Sequence, residues 1–221
     1  AVQKADLEGF WTSLSGKIRG GVRYCLADPF IKQLIIIAGA INFVFAPVNV
    51  IIPFFAKEVM GLGATVYGVM LSFFSVGMFV GSMIIGNLTV HRGKSLGSGI
   101  LAAGGFLILF SGIYLISQGL LLSTVILVGL LSLCLTGVGV ATTFANVPIN
   151  TLLQRSTEDS KRGRVMSIVN MGTMVAMPLA YGFSGFLLEQ IGAVHLIFGI
   201  GGLTIIGAIV TFRSPEIMSA R

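Results

Sequence analysis

Charge is what this sequence has least of. Asp, Glu, Lys and Arg make up 10% of its 221 residues, where a soluble domain carries about 25%. Too few polar groups remain to cover a water-facing surface, so a soluble fold is excluded and lipid must be the solvent for much of the chain. Cysteine is scarce as well: Cys25 lies in a polar N-terminal segment and Cys134 in an apolar stretch, which is no disulfide framework. There is no paired-histidine metal motif, no P-loop, no Gly-x-Ser-x-Gly and no pair of Asp residues in an apolar stretch. Nothing therefore supports an enzyme, a bound metal or cofactor, or an ATP-driven pump. No short apolar stretch with a cleavage site opens the chain, and no signal peptide is expected.

What is abundant is apolar or small. Hydrophobic residues make up 55% of the chain, and the mean hydropathy is +0.97. Glycine, at 30 residues, is well above the average of about 7%, as suits transmembrane helices whose backbones approach closely. A span needs about 20 mostly apolar residues. Six stretches qualify: Leu34–Phe55, Tyr67–Val90, Gly97–Ser117, Ser123–Leu152, Val165–Leu188 and Val194–Phe212, none containing Asp, Glu, Lys or Arg. The expected fold is all-α, a polytopic six-helix transmembrane bundle over residues 30–213. Residues 1–29 form a polar lead-in, and residues 214–221 a tail. The fourth stretch is long and carries Pro148, which predicts tilt, a kink or a final turn outside the hydrocarbon. Gly77-xxx-Gly81, continuing to Ser82-xxx-Gly86, predicts a close helix crossing in the second.

The net charge of +6 would suggest nucleic acid in a soluble chain, but here the basic residues sit between apolar stretches. All 14 Lys and Arg residues except Lys57 fall on one side of the alternating topology. They lie in the lead-in and just after it at Lys32, around His91–Lys94, in Gln154–Arg164, and at Arg213 and in the tail. The positive-inside rule puts that side, with both termini, in the cytoplasm. In the lead-in, Ile18, Val22 and Leu26 recur at helical spacing. This predicts a short amphipathic helix on the inner membrane face, the alternative being a linker that merely delivers the chain to the bilayer.

Two basic loops carry a family resemblance. Gly86-Asn87-Leu88-Thr89-Val90-His91-Arg92-Gly93-Lys94 resembles the signature loop of the major facilitator superfamily. Gly86, Gly93 and Lys94 fit; Val90 and His91 stand where the family has Asp and Arg. The run Asn146 to Arg155, then Arg162-Gly163-Arg164-Val165-Met166-Ser167, resembles the corresponding segment of the macrolide-efflux and enterobactin-exporter branch. Met177-Pro178-Leu179-Ala180 with Gly182 and Gly185 continues the likeness. The resemblance spans the whole chain. It implies the C-terminal half of a twelve-helix secondary transporter in a bacterial inner membrane, exporting small amphipathic molecules by alternating access. The partners implied are the bilayer, a small-molecule substrate and a missing N-terminal six-helix half; a second copy of this chain would be the homodimeric alternative. A non-transporting channel or scaffold also fits hydropathy alone, although it has no reason to carry both loop motifs.

Halves of this superfamily are inverted three-helix repeats, so the first and fourth stretches should be equivalent. Asn42, Ala46, Asn49 and Pro53 share one face of the first; Thr142, Asn146 and Asn150 share one face of the fourth, with Gly139 and Thr143 adjoining. Unpaired amides facing lipid cost several kcal/mol, so these stripes are expected to face a water-filled cavity or each other. Interhelical glue is the bland alternative. Asn170, Met174, Met177 and Tyr181 form a third face, adaptable to apolar ligands or simply packed. Proton relays need intramembrane carboxylates or histidines. The six stretches hold no carboxylate, and His91 and His195 sit at ends; if transport is proton-coupled antiport, its protonation site is expected outside this chain. Arg155, Glu158, Asp159, Lys161, Arg162 and Arg164 form either a solvated loop or a set of gating ion pairs; the resemblance singles out Arg162 and Arg164.

Overall fold

Six helices of this chain are long and apolar enough to cross a membrane. The computed structural model describes residue 16 and residues 19–88, 91–120 and 122–219; most of the polar lead-in, Ile18 and Val90 lie outside the described residues. The spans are α1 (Pro29–Val59), α2 (Ala64–Asn87), α3 (Arg92–Ser117), α4 (Thr124–Arg155), α5 (Asp159–Ile191) and α6 (Ala193–Phe212). A short α7 (Pro215–Met218) follows. The chain is an all-α six-helix bundle of multi-pass membrane character.

Local chemistry sets the helix ends. The Asp28 carboxylate accepts the N–H groups of Phe30 (2.9 Å) and Ile31 (3.1 Å), and Pro29 opens α1 where no N–H is needed. Gly192, at φ 78°, is the whole connection between α5 and α6, a conformation L-residues with a Cβ resist. The expected loop Gln154–Arg164 is mostly helix: α4 runs to Arg155 and α5 starts at Asp159.

The break falls in α1 rather than α4. α1 is α-helical over Pro29–Phe45 and Val48–Phe54, interrupted at Ala46-Pro47, and ends in a π-helical turn at Phe55–Val59. Pro47 and Pro53 withhold the N–H groups due to the carbonyls of Phe43 and Asn49. α4 instead continues unbroken through Pro148. The Phe144 carbonyl, deprived of its partner by Pro148, accepts the Ser95 hydroxyl of α3 at 3.2 Å, which is how a neighbouring helix stabilises a membrane proline. At 32 residues, α4 is about 48 Å long, and exceeds a hydrocarbon core of about 30 Å.

α2, α4, α3 and α6 form a row in which α4 stands between the consecutive helices α2 and α3. Glycines close each seam. A Cβ on Gly139 would overlap the Phe74 carbonyl, and one on Gly77 the Thr136 carbonyl. One on Gly99 would lie 2.6 Å from the Ala145 nitrogen, and one on Gly104 2.7 Å from the Gly201 carbonyl. Each seam also has one hydrogen bond across it: Thr143 Oγ1 to Met78 O (3.3 Å), Ser95 Oγ to Phe144 O, and Ser111 Oγ to Val194 O (3.2 Å). The predicted crossing at Gly77 and Gly81 is present. It does not extend to Gly86, whose Cβ position is open; Ser82 bonds its own helix at Phe79 O.

α1 and α5 complete the bundle more loosely. The Lys57 end of α1 is fixed by Phe55, packed edge-on against Phe110 and Tyr114 at 5.2 and 4.9 Å between ring centres. Its other end is buried at Ile31 and Leu34. Residues 19–27 are helical, with Val22 and Leu26 exposed and Gly21 and Cys25 facing the bundle. There the end of the Ile168 side chain of α5 occupies the Cβ position of Gly21. Lys161 caps the contact from above the Tyr24 ring, 4.6 Å from its centre. The tail is also docked: Ile217 is fully buried and its carbonyl sits where a Cβ of Gly93 would be.

Candidate functional site

Two apolar clusters fill the bundle at different depths. One gathers Ile51, Phe55, Phe110, Leu131 and Ile197 toward the Lys57 end. The other gathers Ile31, Leu34, Leu96, Leu153 and Ile217 toward the basic end. Between them is a cavity of about 360 Å³ to which all six spans contribute. Its residues fall midway along each helix: Asn42 to Asn49 on α1, Thr142 to Asn146 on α4, Thr204 on α6.

The stripes on α1 and α4 meet here. Asn42, Ala46 and Asn49 form one wall, and Thr142 and Asn146 another. Their hydrogen bonds stay within their own helices. Asn42 Nδ2 donates to Ala38 O (2.8 Å), Asn49 Nδ2 to Ala46 O (3.3 Å), and Thr142 Oγ1 to Gly139 O (2.9 Å). Each amide so bonded keeps its side-chain oxygen and a second N–H for whatever occupies the cavity. The glue between helices is supplied elsewhere, by Ser95, Ser111 and Thr143. Apolar groups complete the wall: Phe45, Phe74 and Met78 on one side, Met177 from α5 on another. No lining residue is ionisable, so the site recognises through amide and hydroxyl dipoles and dispersion. The space has room for about ten waters.

The remaining candidates lie elsewhere. Asn150 is one turn nearer the basic end, exposed, and donates to Asn146 O at 2.9 Å. Asn170 is exposed, Met174 is 73% exposed and Tyr181 is half-buried; none lines the cavity. Only Met177 of that stripe reaches it; α5 is buried at Val165 toward its basic end and at Ala180 and Ser184 toward the other. Asn49 and Asn146 are exposed and line the cavity.

The basic motifs are structural where their contacts are visible. Gly93 receives the tail, Gly86 and Gly163 have open Cβ positions, and Lys94 and Arg164 are exposed. Arg162 pairs with Asp159 (2.6 Å) and donates through Nε to Gln154 O (3.0 Å), tying the end of α4 to the start of α5. Lys161 pairs with Glu158 at 2.9 Å. These pairs are local and partly exposed. His195 is exposed and bonded to Ile191 O at 3.1 Å. Among the described residues no group of metal-ligating side chains converges.

Sequence reasoning missed Phe45, Thr204 and Met78. Phe45 lies one residue before the Ala46-Pro47 break, and that proline was the available signal. Thr204 is an isolated hydroxyl in an apolar helix, and Met78 has no distinguishing pattern. Comparison with protein-family models, with curated proteins and with solved structures gives no match to this chain.

Proposed function

We propose that this chain is one half of a secondary active transporter of the major facilitator type, exporting small amphipathic molecules by alternating access. The carrying observation is the meeting of Asn42 and Asn49 of α1 with Thr142 and Asn146 of α4 around one midway cavity. Inverted-repeat transporters bind substrate at the bilayer midplane, between equivalent helices, and α1 and α4 are equivalent if the six spans are two repeats of three.

The chemistry of the wall narrows the substrate. Amide dipoles pair with hydroxyl, carbonyl or amide groups, while Phe45, Phe74 and the methionines take an apolar body. Nothing in the wall balances a full charge. A coupling proton would need a carboxylate contributed from outside these six spans. With the basic side in the cytoplasm, the membrane is the bacterial inner membrane and both termini are cytoplasmic.

The test is reconstitution of the protein in liposomes with efflux of labelled macrolides and siderophores. Asn42→Ala and Asn146→Ala are each expected to lower kcat/KM about tenfold, the equivalent of one cavity hydrogen bond at about 1.4 kcal/mol, with unchanged folding. Unchanged transport in both variants sinks this reading.

A further inference from the structure

Beside the central cavity lies a second space with a different character. It is a crevice of about 200 Å³ between α1 and α6, walled by Ile36, Ala40 and Ile41 on one side and Leu203, Thr204 and Gly207 on the other. Its mouth is flanked by Ile36 and Leu203, 59% and 56% exposed on helices that cross the membrane. Its inner end shares Ile41, Ile100 and Thr204 with the central cavity. The single hydroxyl is already used, Thr204 Oγ1 donating to Ile200 O at 2.7 Å. No charged residue is present to hold a headgroup.

The small residues make the gap informative. On the opposite face of α6, Gly201 and Gly104 bring two backbones together. Ala40 and Gly207 could do the same between α1 and α6, yet a Cβ built on Gly207 meets nothing within 4 Å. An apolar space holds no water, and left empty it forfeits dispersion contacts along every wall. The medium at its mouth is hydrocarbon.

We propose that the crevice between α1 and α6 binds one acyl chain of a bilayer lipid, which completes the wall of the central cavity on that side. The chain lies with its flank along Ala40 and Gly207 and its inner segment against Ile41 and Ile100. The lipid is thus a removable part of the cavity wall, held by contact alone.

The experiment uses the full chain in nanodiscs of phosphatidylglycerol carrying a photoactivatable diazirine in one acyl chain, without cargo, with crosslinks mapped by mass spectrometry. Crosslinks concentrated on Ala40, Ile41 and Gly207 above other lipid-facing positions are expected. Gly207→Phe fills the crevice from an open Cβ position. Each displaced methylene lowers occupancy about fourfold, so crevice labelling should fall at least about tenfold. Ala40→Leu narrows the opposite wall and serves if the first variant fails to fold. Gly202→Phe, on the same helix with equally open space but outside the crevice, should leave labelling unchanged. Labelling spread evenly over exposed positions, or unaltered by both filling variants, overturns the proposal. So does labelling by a single-chain fatty-acid probe alone, which would assign the crevice to a free amphiphile. The readout involves no transport, so it stands or falls apart from the transporter reading.

Discussion

α6 meets α3 through two glycines and a serine, and meets α1 across an open crevice. The same contrast separates two parts of the molecule. In the row α2–α4–α3–α6, backbones touch at glycine and one side-chain hydrogen bond crosses every seam. Among the described residues α1 has neither device, and α5 has only the Arg162 Nε bond to Gln154 O at its basic end. Only 11% of the most apolar window of α5 is buried, against 44% for α6. α5 is not poor in glycine: Gly163, Gly172, Gly182 and Gly185 all have open Cβ positions. Lipid tails are as apolar as leucine, so hydrophobicity does not press helices together in a bilayer. What fixes a pair is how closely the backbones approach and whether a polar group spans them. Glycine facing a backbone makes scaffold; glycine facing nothing makes a pliable helix. The helices that bring Asn42, Asn49 and Met177 to the cavity belong to the looser part, as alternating access would require.

The largest test of that contrast is a matched pair. Gly139→Val would drive Cβ into the Phe74 carbonyl and is expected to cost about 3 kcal/mol or more; Gly185→Val in α5 should stay within about 0.5 kcal/mol. Unfolding in mixed micelles measures both, and equal costs would erase the distinction between the two regions. Next in size is Ser95→Ala, which leaves the Phe144 carbonyl without a donor and is expected to cost about 1–2 kcal/mol. In a Pro148→Ala background the backbone N–H returns, and the same change should cost under about 0.5 kcal/mol. A constant cost in both backgrounds would mean the serine does not substitute for the proline. The smallest effect belongs to Arg162→Ala. Its exposed pair with Asp159 and its bond to Gln154 should be worth about 0.5 kcal/mol, visible as faster hydrogen exchange at the end of α4 with the row unaffected.

The number of spans, their helical nature and the existence of polar stripes were legible because lipid permits so few solutions. Asn42, Asn49, Thr142 and Asn146 could be placed together from spacing and repeat logic. The break could not. The sequence offers prolines at 47, 53, 148 and 178, and the pattern does not say which disturbs its helix: α4 runs through Pro148 with a hydroxyl from Ser95, and α5 runs through Pro178. Gly77 and Gly81 could be read as a crossing, but Gly86 could not be separated from them, since the pattern is blind to what lies opposite. The stripe Asn170, Met174, Met177 and Tyr181 reaches the cavity only at Met177, since periodicity finds a face but not the direction in which it points.

The interposition of α4 between α2 and α3 also has a consequence for how the protein is made. Chains emerge and insert from the N-terminus at a pace of about 5–20 residues per second. α2 and α3 are therefore in the bilayer before their common partner exists, each presenting bare glycine backbone to lipid. Assembly of the row waits for α4, continues with α6 on α3, and finishes when α7 reaches Gly93. A nascent chain arrested before Thr124 would be a set of separate helices with exposed adhesive faces. Such a species is a natural client for membrane chaperones and proteases, and its turnover rather than its fold would then limit how much of the protein a cell holds.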